Sequence, residues 1–158
     1  MRYVTVHLEP DDGGAFHPLG ERLTADPSVE RWAIHHVELL ADDTVLLLAE
    51  ASGSRERYRE IMEESPHVED YLVAGEDRWM AVSQFHPTEP FRRALKLQRE
   101  SQFVGDTPIR VSSDGGLEVT YRNRRGVRRV VRRRGRVGVR LRRTPQHGRL
   151  RSGRVGAQ

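Results

Sequence analysis

The sequence contains no cysteine, which excludes a disulfide framework and any thiolate metal centre. It contains a single lysine, Lys96, against 26 arginines. A GC-rich coding sequence produces that ratio, because most arginine codons are GC-rich and both lysine codons are AT-rich. No long hydrophobic run is present. The longest, Thr44 to Ala49, falls far short of the roughly 20 apolar residues that span a bilayer. Met1 leads straight into an alternating pattern, with no basic and apolar leader segment. The expectation is a soluble, cytoplasmic protein with no membrane partner. The chain is also without acidic residues beyond Glu118.

That last absence divides the molecule. Residues 1–120 carry 12 basic and 23 acidic side chains, a net −11, whereas residues 121–158 carry 15 arginines and no acid, a net +15. The overall +4 and the sequence pI near 10.1 are averages over two unlike pieces. A strongly acidic, lysine-poor region suits a halophile, in which surface carboxylates hold water against concentrated salt. About 120 residues suffice to bury a core without covalent staples.

Residues 2–8 alternate, with Val4, Val6 and Leu8 on one face, as in a half-buried strand. Asp11 to Gly14 reads as a loop. Phe16, Leu19 and Leu23 form a short amphipathic helix stopped at Asp26-Pro27. Residues 29–40 read as a strand, turned by Asp42-Asp43 into a second, Val45 to Ala49. Ser54 caps a helix that buries Tyr58, Ile61 and Met62 and ends at Pro66. Val68 to Val73 is a strand. This order, β-α-β-β-α-β, is that of a ferredoxin-like unit.

The order then begins again. Arg78 to His86 is a strand, and Thr88, Glu89 and Pro90 start a helix with Phe91, Ala94 and Leu95 on its buried side. Ile109 and Val111, then Leu117 and Val119, flank the hairpin signal Asp114-Gly115-Gly116. The predicted fold class is α+β: a ferredoxin-like repeat over residues 1–75, an incomplete second repeat over 76–121, and an arginine-rich tail over 122–158. Residues 122–143 alone hold 12 arginines. Three readings of the tail stand: a nucleic-acid-binding arm through Arg128, Arg129, Arg132, Arg133 and Arg134; a self-contact with the acidic region; and out-of-frame translation of a segment that originally encoded the missing helix and strand. The last reading predicts disorder there, since like charges at i, i+4 oppose a helix.

Several side chains are candidate sites. His35, His36 and His86, with Trp79 and Phe85, are candidate ligand-binding residues, since a ligand cleft needs apolar walls and a few polar groups. Trp32 belongs with them as an aromatic. His7 and His35 on adjacent strands would form a pH-sensitive pair. Metal ligation is not expected, because no HxH or HxxxH pair is present. Arg92, Lys96 and Arg99, beside Arg93, form a cationic helix stripe that can face an anion or an acidic partner. There is no GxSxG, no phosphate-cradling glycine loop and no HExxH. A non-catalytic role without a cofactor is therefore expected.

Met1-Arg2-Tyr3-Val4-Thr5-Val6, Gly14-Ala15-Phe16-His17-Pro18 and Ala33-Ile34-His35-His36-Val37-Glu38-Leu39-Leu40 together resemble the N-terminal region of haloarchaeal Bat-type (bacterio-opsin-activator-like) helix-turn-helix regulators. Phe85-His86-Pro87-Thr88-Glu89-Pro90 and Val104 to Ile109 add to the likeness, which covers about residues 1–121. The resemblance implies a cytoplasmic transcription regulator with a sensor-like N-terminal region that self-associates, an unknown small-molecule effector, and DNA as the partner of the full-length family. No pair of apolar-periodic helices joined by a short turn follows Tyr121. The chain is thus expected to be the regulatory module without its DNA-binding part. The alternatives are direct nucleic-acid binding through the tail and a small-molecule-binding module of the ACT type.

Overall fold

Alternation, caps and turns produce the expected elements in the expected order as far as residue 123. The computed structural model describes residues 2–10, 16–100, 104–123 and 139–143. Its elements are β1 (Arg2–Pro10), α1 (Pro18–Ala25), β2 (Val29–Leu39), β3 (Val45–Gly53), α2 (Arg55–Glu64), β4 (Val68–Gly75), β5 (Arg78–Phe85), α3 (Glu89–Glu100), β6 (Val104–Val111), β7 (Leu117–Asn123) and β8 (Val139–Arg143). The Asp11–Gly14 loop lies outside the described residues.

Local chemistry accounts for the boundaries. Ser54 caps α2 by accepting from the N–H of Arg57 at 3.1 Å, and Tyr58, Ile61 and Met62 are its buried stripe. Thr88 accepts from the N–H of Phe91 at 3.4 Å at the start of α3. At the end of β3, Gly53 has φ +92°, and a Cβ there would overlap the carbonyl oxygen of Ser28, which accepts from Ser54 N–H at 2.8 Å. α1 ends at Asp26, whose carboxylate accepts from the Ser28 hydroxyl at 2.5 Å, from Arg57 Nε at 2.6 Å and from Ser28 N–H at 3.0 Å.

These bonds, the Ser28 hydroxyl foremost, hold the Asp26 carboxyl at a pKa of about 2. A depressed folded-state pKa means that the contribution is present above the ordinary value and is lost as the pH falls toward 2. A carboxyl-detected NMR titration should place the native midpoint near 2. Ser28→Ala should raise it further than Arg57→Gln. A midpoint at the ordinary value of about 3.9 would show that the Ser28 and Arg57 bonds do not persist in solution.

All eight strands form one antiparallel sheet in the order β4-β5-β3-β2-β6-β7-β1-β8. This order corrects the expectation of two consecutive, self-contained repeats. In a ferredoxin-like unit the first strand lies between the third and fourth strands of its own unit. Here β5 occupies that place between β3 and β4, and β1 lies between β7 and β8. β1 and β5 thus stand in each other's expected places, and β2 joins β6 at the centre. Exchanging β1 with β5, β2 with β6, β3 with β7 and β4 with β8 returns the same order. The arginine-rich segment also contributes to the sheet, because Val139–Arg143 pairs with the outer edge of β1.

A tripeptide recurs: Phe16-His17-Pro18 leads into α1, with Pro18 its first residue, and Phe85-His86-Pro87 runs from the end of β5 toward α3. The two copies touch: His17 Nε2 lies 2.7 Å from the carbonyl oxygen of His86, and the Thr88 hydroxyl donates to the carbonyl oxygen of Phe16 at 3.1 Å.

The helices cover one face of the sheet. One buried cluster unites Leu19, Leu23, Tyr58, Ile61, Met62 and Trp79; another unites Val6, Leu8, Ile34, Ile109, Val119 and Tyr121. The opposite face exposes Trp32 and Leu72. No helix among the described residues is long and apolar enough to cross a membrane.

Candidate ligand cavity

The seam between the two cores is not filled. Strand alternation turns Ala49 and Ala51 of β3 and Ala81 and Ser83 of β5 toward the helices, and Ala33 of β2 joins them. These are small side chains, and Gly20 of α1 stands above them with none. The space left is a cavity of about 90 Å³, walled by Tyr58, Trp79, Phe85 and Phe91. That is several times the roughly 10–15 Å³ that one water requires.

Arg31 of β2 also lines this cavity. It is in phase with Val29 and Ala33 on the strand and pairs with Ala51 of β3, and the register shift between Arg31 and Ala33 follows directly. Its Nη2 donates to Thr24 Oγ1 at 2.5 Å and to the Gly20 carbonyl oxygen at 3.2 Å. Its Nη1 would lie 3.4 Å from a Cβ at position 20, so Gly20 leaves the guanidinium its room. Among the described residues, no carboxylate forms an ion pair with Arg31, and no acceptor meets its Nε or Nη1. Burial lowers its pKa from the ordinary value, the reverse of what a counter-ion would do.

Two further polar groups face the same space. Burial pushes the Tyr58 phenol pKa up, against a hydrogen bond with Ser83 that favours the phenolate. The Tyr58 ring meets Trp79 edge-on with centroids 4.9 Å apart. His17 sits at the rim, 6% exposed. Its Nδ1 accepts from Leu19 N–H at 3.1 Å, so its Nε2 carries the proton donated to the His86 carbonyl. Burial lowers its pKa below the ordinary value; the His86 carbonyl opposes this, and nearby His67 adds to it.

With that geometry established, comparison with known proteins gives one match. The model of the HVO_0513_N, N-terminal family, a haloarchaeal protein family, matches residues 17–144. The chain belongs to this family. The matched span takes in every residue that lines the cavity except Phe16, and it runs through β8. No curated protein and no solved structure matches this HVO_0513_N family chain.

Of the residues singled out in the sequence, Trp79 and Phe85 lie in the cavity wall, and Phe85 stacks on Phe91 of α3 with centroids 6.1 Å apart. The histidines do not join them. His36 Nε2 lies 3.3 Å from Glu38, His35 Nε2 lies 3.8 Å from Glu50, and His86 Nε2 lies 2.7 Å from Glu69. A register shift between Ile34 and His36 interrupts the regular alternation of β2 at these histidines. His7 and His35 are not on adjacent strands, since β6 and β7 separate β1 from β2. Trp32 lies outside the cavity, donates to Ser52 Oγ at 2.9 Å and carries the Arg78 guanidinium 4.1 Å above its ring.

In the cationic stripe, Arg92 is bound to Glu89 at 2.9 Å and to Asp43 at 3.5 Å, while Lys96 and Arg99 are exposed. The candidate nucleic-acid arginines, Arg128 to Arg134, lie outside the described residues. His7, Glu9 and Asp114 bring three ligand-type atoms within 4.8 Å of one another. His7 is 3.1 Å from Glu9, however, and Asp114 already accepts from the Ser112 hydroxyl and from Gly116 N–H.

Proposed function

We propose that this chain is the regulatory, ligand-sensing module of a haloarchaeal helix-turn-helix transcription regulator, built from two ferredoxin-like units that have exchanged their first strands. The observation that carries the sensing role is the cavity at the seam of the two cores. Protein interiors close to crystal-like density, so a hollow floored by Ala33, Ala49, Ala51 and Ala81 departs from what packing alone would select. Its position supports a regulatory reading, because an occupant would touch α1, α2, α3 and the sheet together. Binding there would act on the relative placement of the two halves, and so on self-association and on an attached DNA-binding domain. Membership of an N-terminal-domain family and the resemblance to Bat-type regulators support the same reading.

The test is retention of small molecules. The purified chain, equilibrated with a haloarchaeal small-molecule extract, should show a discrete mass increase by native mass spectrometry. The bound species should also raise its thermal midpoint, as any ligand selective for the folded state must. Ala49→Phe, which fills the cavity, should abolish both effects while remaining folded. Retention by wild type and variant alike would remove the cavity from the explanation.

A further inference from the structure

We infer that the cavity takes a small organic carboxylate with an apolar body, anchored on Arg31. This inference rests on the cavity being a ligand site and goes on to specify what it binds. The interior of this space is largely hydrocarbon and aromatic, with Leu19, Leu23, Tyr58, Trp79 and Phe85 among the groups that wall it. Arg31 is the exception. An arginine side chain brought among such groups loses hydration, and a carboxylate normally restores the balance. Here the Arg31 guanidinium meets only Thr24 Oγ1 and the Gly20 carbonyl oxygen, both through Nη2. Nε and Nη1, on different edges of the planar group, have no protein acceptor among the described residues, and Nη1 keeps its N–H donors for a carboxylate.

The remaining polar groups suit a monoanion better than a more highly charged ligand. Tyr58 and Ser83 are neutral hydroxyls bonded to each other, and Arg31 is the cavity's one guanidinium. A phosphate dianion would need further cations or a nest of backbone N–H groups, and the floor of the cavity is made of paired strands. An apolar body would lie over Ala49, Ala51 and Ala81 against the Trp79 and Phe85 rings. Such an arrangement, an apolar pocket with one oriented charge, is the usual design of a small-molecule site. Concentrated salt would screen this partly enclosed pair less than a surface one.

Three probes of one shape test the inference: phenylacetate, its neutral isostere phenylacetamide, and the cation phenethylamine. Trp32→Phe leaves Trp79, in the cavity wall, as the sole tryptophan. Its emission then reports binding in the full chain, with equilibrium dialysis as a second readout. Phenylacetate should bind at least about ten-fold tighter than phenylacetamide, and phenethylamine should not bind detectably. Arg31→Met should reduce the acid-to-amide ratio to near one; Arg31→Lys should leave a preference for the acid, weakened by the shorter reach and loss of the planar donor set. Equal affinity of the wild-type chain for acid and amide would overturn the carboxylate assignment and leave the ligand-site reading standing. Failure of all three probes to bind would overturn both. The acid-to-amide comparison needs no substitution at position 31, so it stands even where Arg31→Met fails to fold.

Discussion

Replacing Trp79 with alanine is expected to cost about 3–5 kcal/mol of stability. Trp79 is the largest fully buried side chain of the described residues, 0% exposed, and it lies where β3, β5 and α2 meet. Alanine removes the ring from the wall of a space that is already partly empty, so the surroundings have little reason to collapse onto the void. It also removes the Nε1–H donor from the Gly53 carbonyl oxygen at 3.2 Å, at the glycine on which the end of β3 turns. A domain of this size has about 5–15 kcal/mol in all, so Trp79→Ala is expected to sit near its unfolding threshold. Trp79→Phe keeps much of the volume and should lose about 1–2 kcal/mol, chiefly the hydrogen bond and part of the Tyr58 contact. Guanidinium denaturation in matched salt measures both, with the dependence on denaturant unchanged if the native state is otherwise intact. A loss below about 1 kcal/mol for Trp79→Ala would show that the cavity is already hydrated around the ring and that the packing drawn here is wrong.

The elements were legible because each is written locally. Val6 and Leu8 alternate, Tyr58, Ile61 and Met62 fall at helical spacing, and Ser54 and Thr88 stand where caps belong. Strand order was not legible, because alternation says which face of a strand is buried but not which strand lies beside it. The place of β1 is decided by pairings between residues more than a hundred positions apart, such as Val6 with Val119. Phe-His-Pro recurs at residues 16–18 and 85–87, entering α1 at Pro18 and ending with Thr88 between Pro87 and α3. β8 was not anticipated, because the charge of its arginines obscured the simple alternation Val139-Arg140-Leu141-Arg142.

The cavity was half legible. Trp79 and Phe85 are spaced to share a strand face, and they do line it. Arg31 was missed, because an arginine between Glu30 and Trp32 reads as surface. The available signal was its phase: positions 29, 31 and 33 share one face, and Val29 and Ala33 are buried. The histidines drew attention by their chemistry, yet His35, His36 and His86 lie beside Glu50, Glu38 and Glu69 and do not line the cavity. The histidine with the most structural consequence, His17, is an unusual helix cap, and nothing in residue preference points to it.

Acidification should therefore weaken the fold through His17, and His17→Ala should cost about 2–4 kcal/mol at neutral pH. Two interactions carry that figure: the cap on Leu19 N–H, at about 1–2 kcal/mol, and the donor to the His86 carbonyl, whose loss leaves a partly buried acceptor at about 1–2 kcal/mol more. Both need the neutral ring, with the proton on Nε2. The folded-state pKa lies below the ordinary 6.5, because burial disfavours the imidazolium and His67, ring to ring at 4.9 Å, repels it. The unfolded chain thus takes up a proton more readily than the folded one. Stability from His17 is complete above the ordinary value and declines as the pH falls below it toward the folded value. His67 and the His86–Glu69 pair, the neighbouring titratable side chains at this junction, remain in every variant compared. His17→Asn offers a non-titrating acceptor to Leu19 N–H. It should be less stable than wild type at pH 8 and lose less stability between about pH 7 and pH 5, where wild type should fall steadily. Parallel pH profiles for wild type and His17→Asn would mean that the ring is not the titrating element. The pH sensitivity assigned to His17 would then have to be abandoned, while its contacts with the His86 carbonyl and the Phe85 ring would stand.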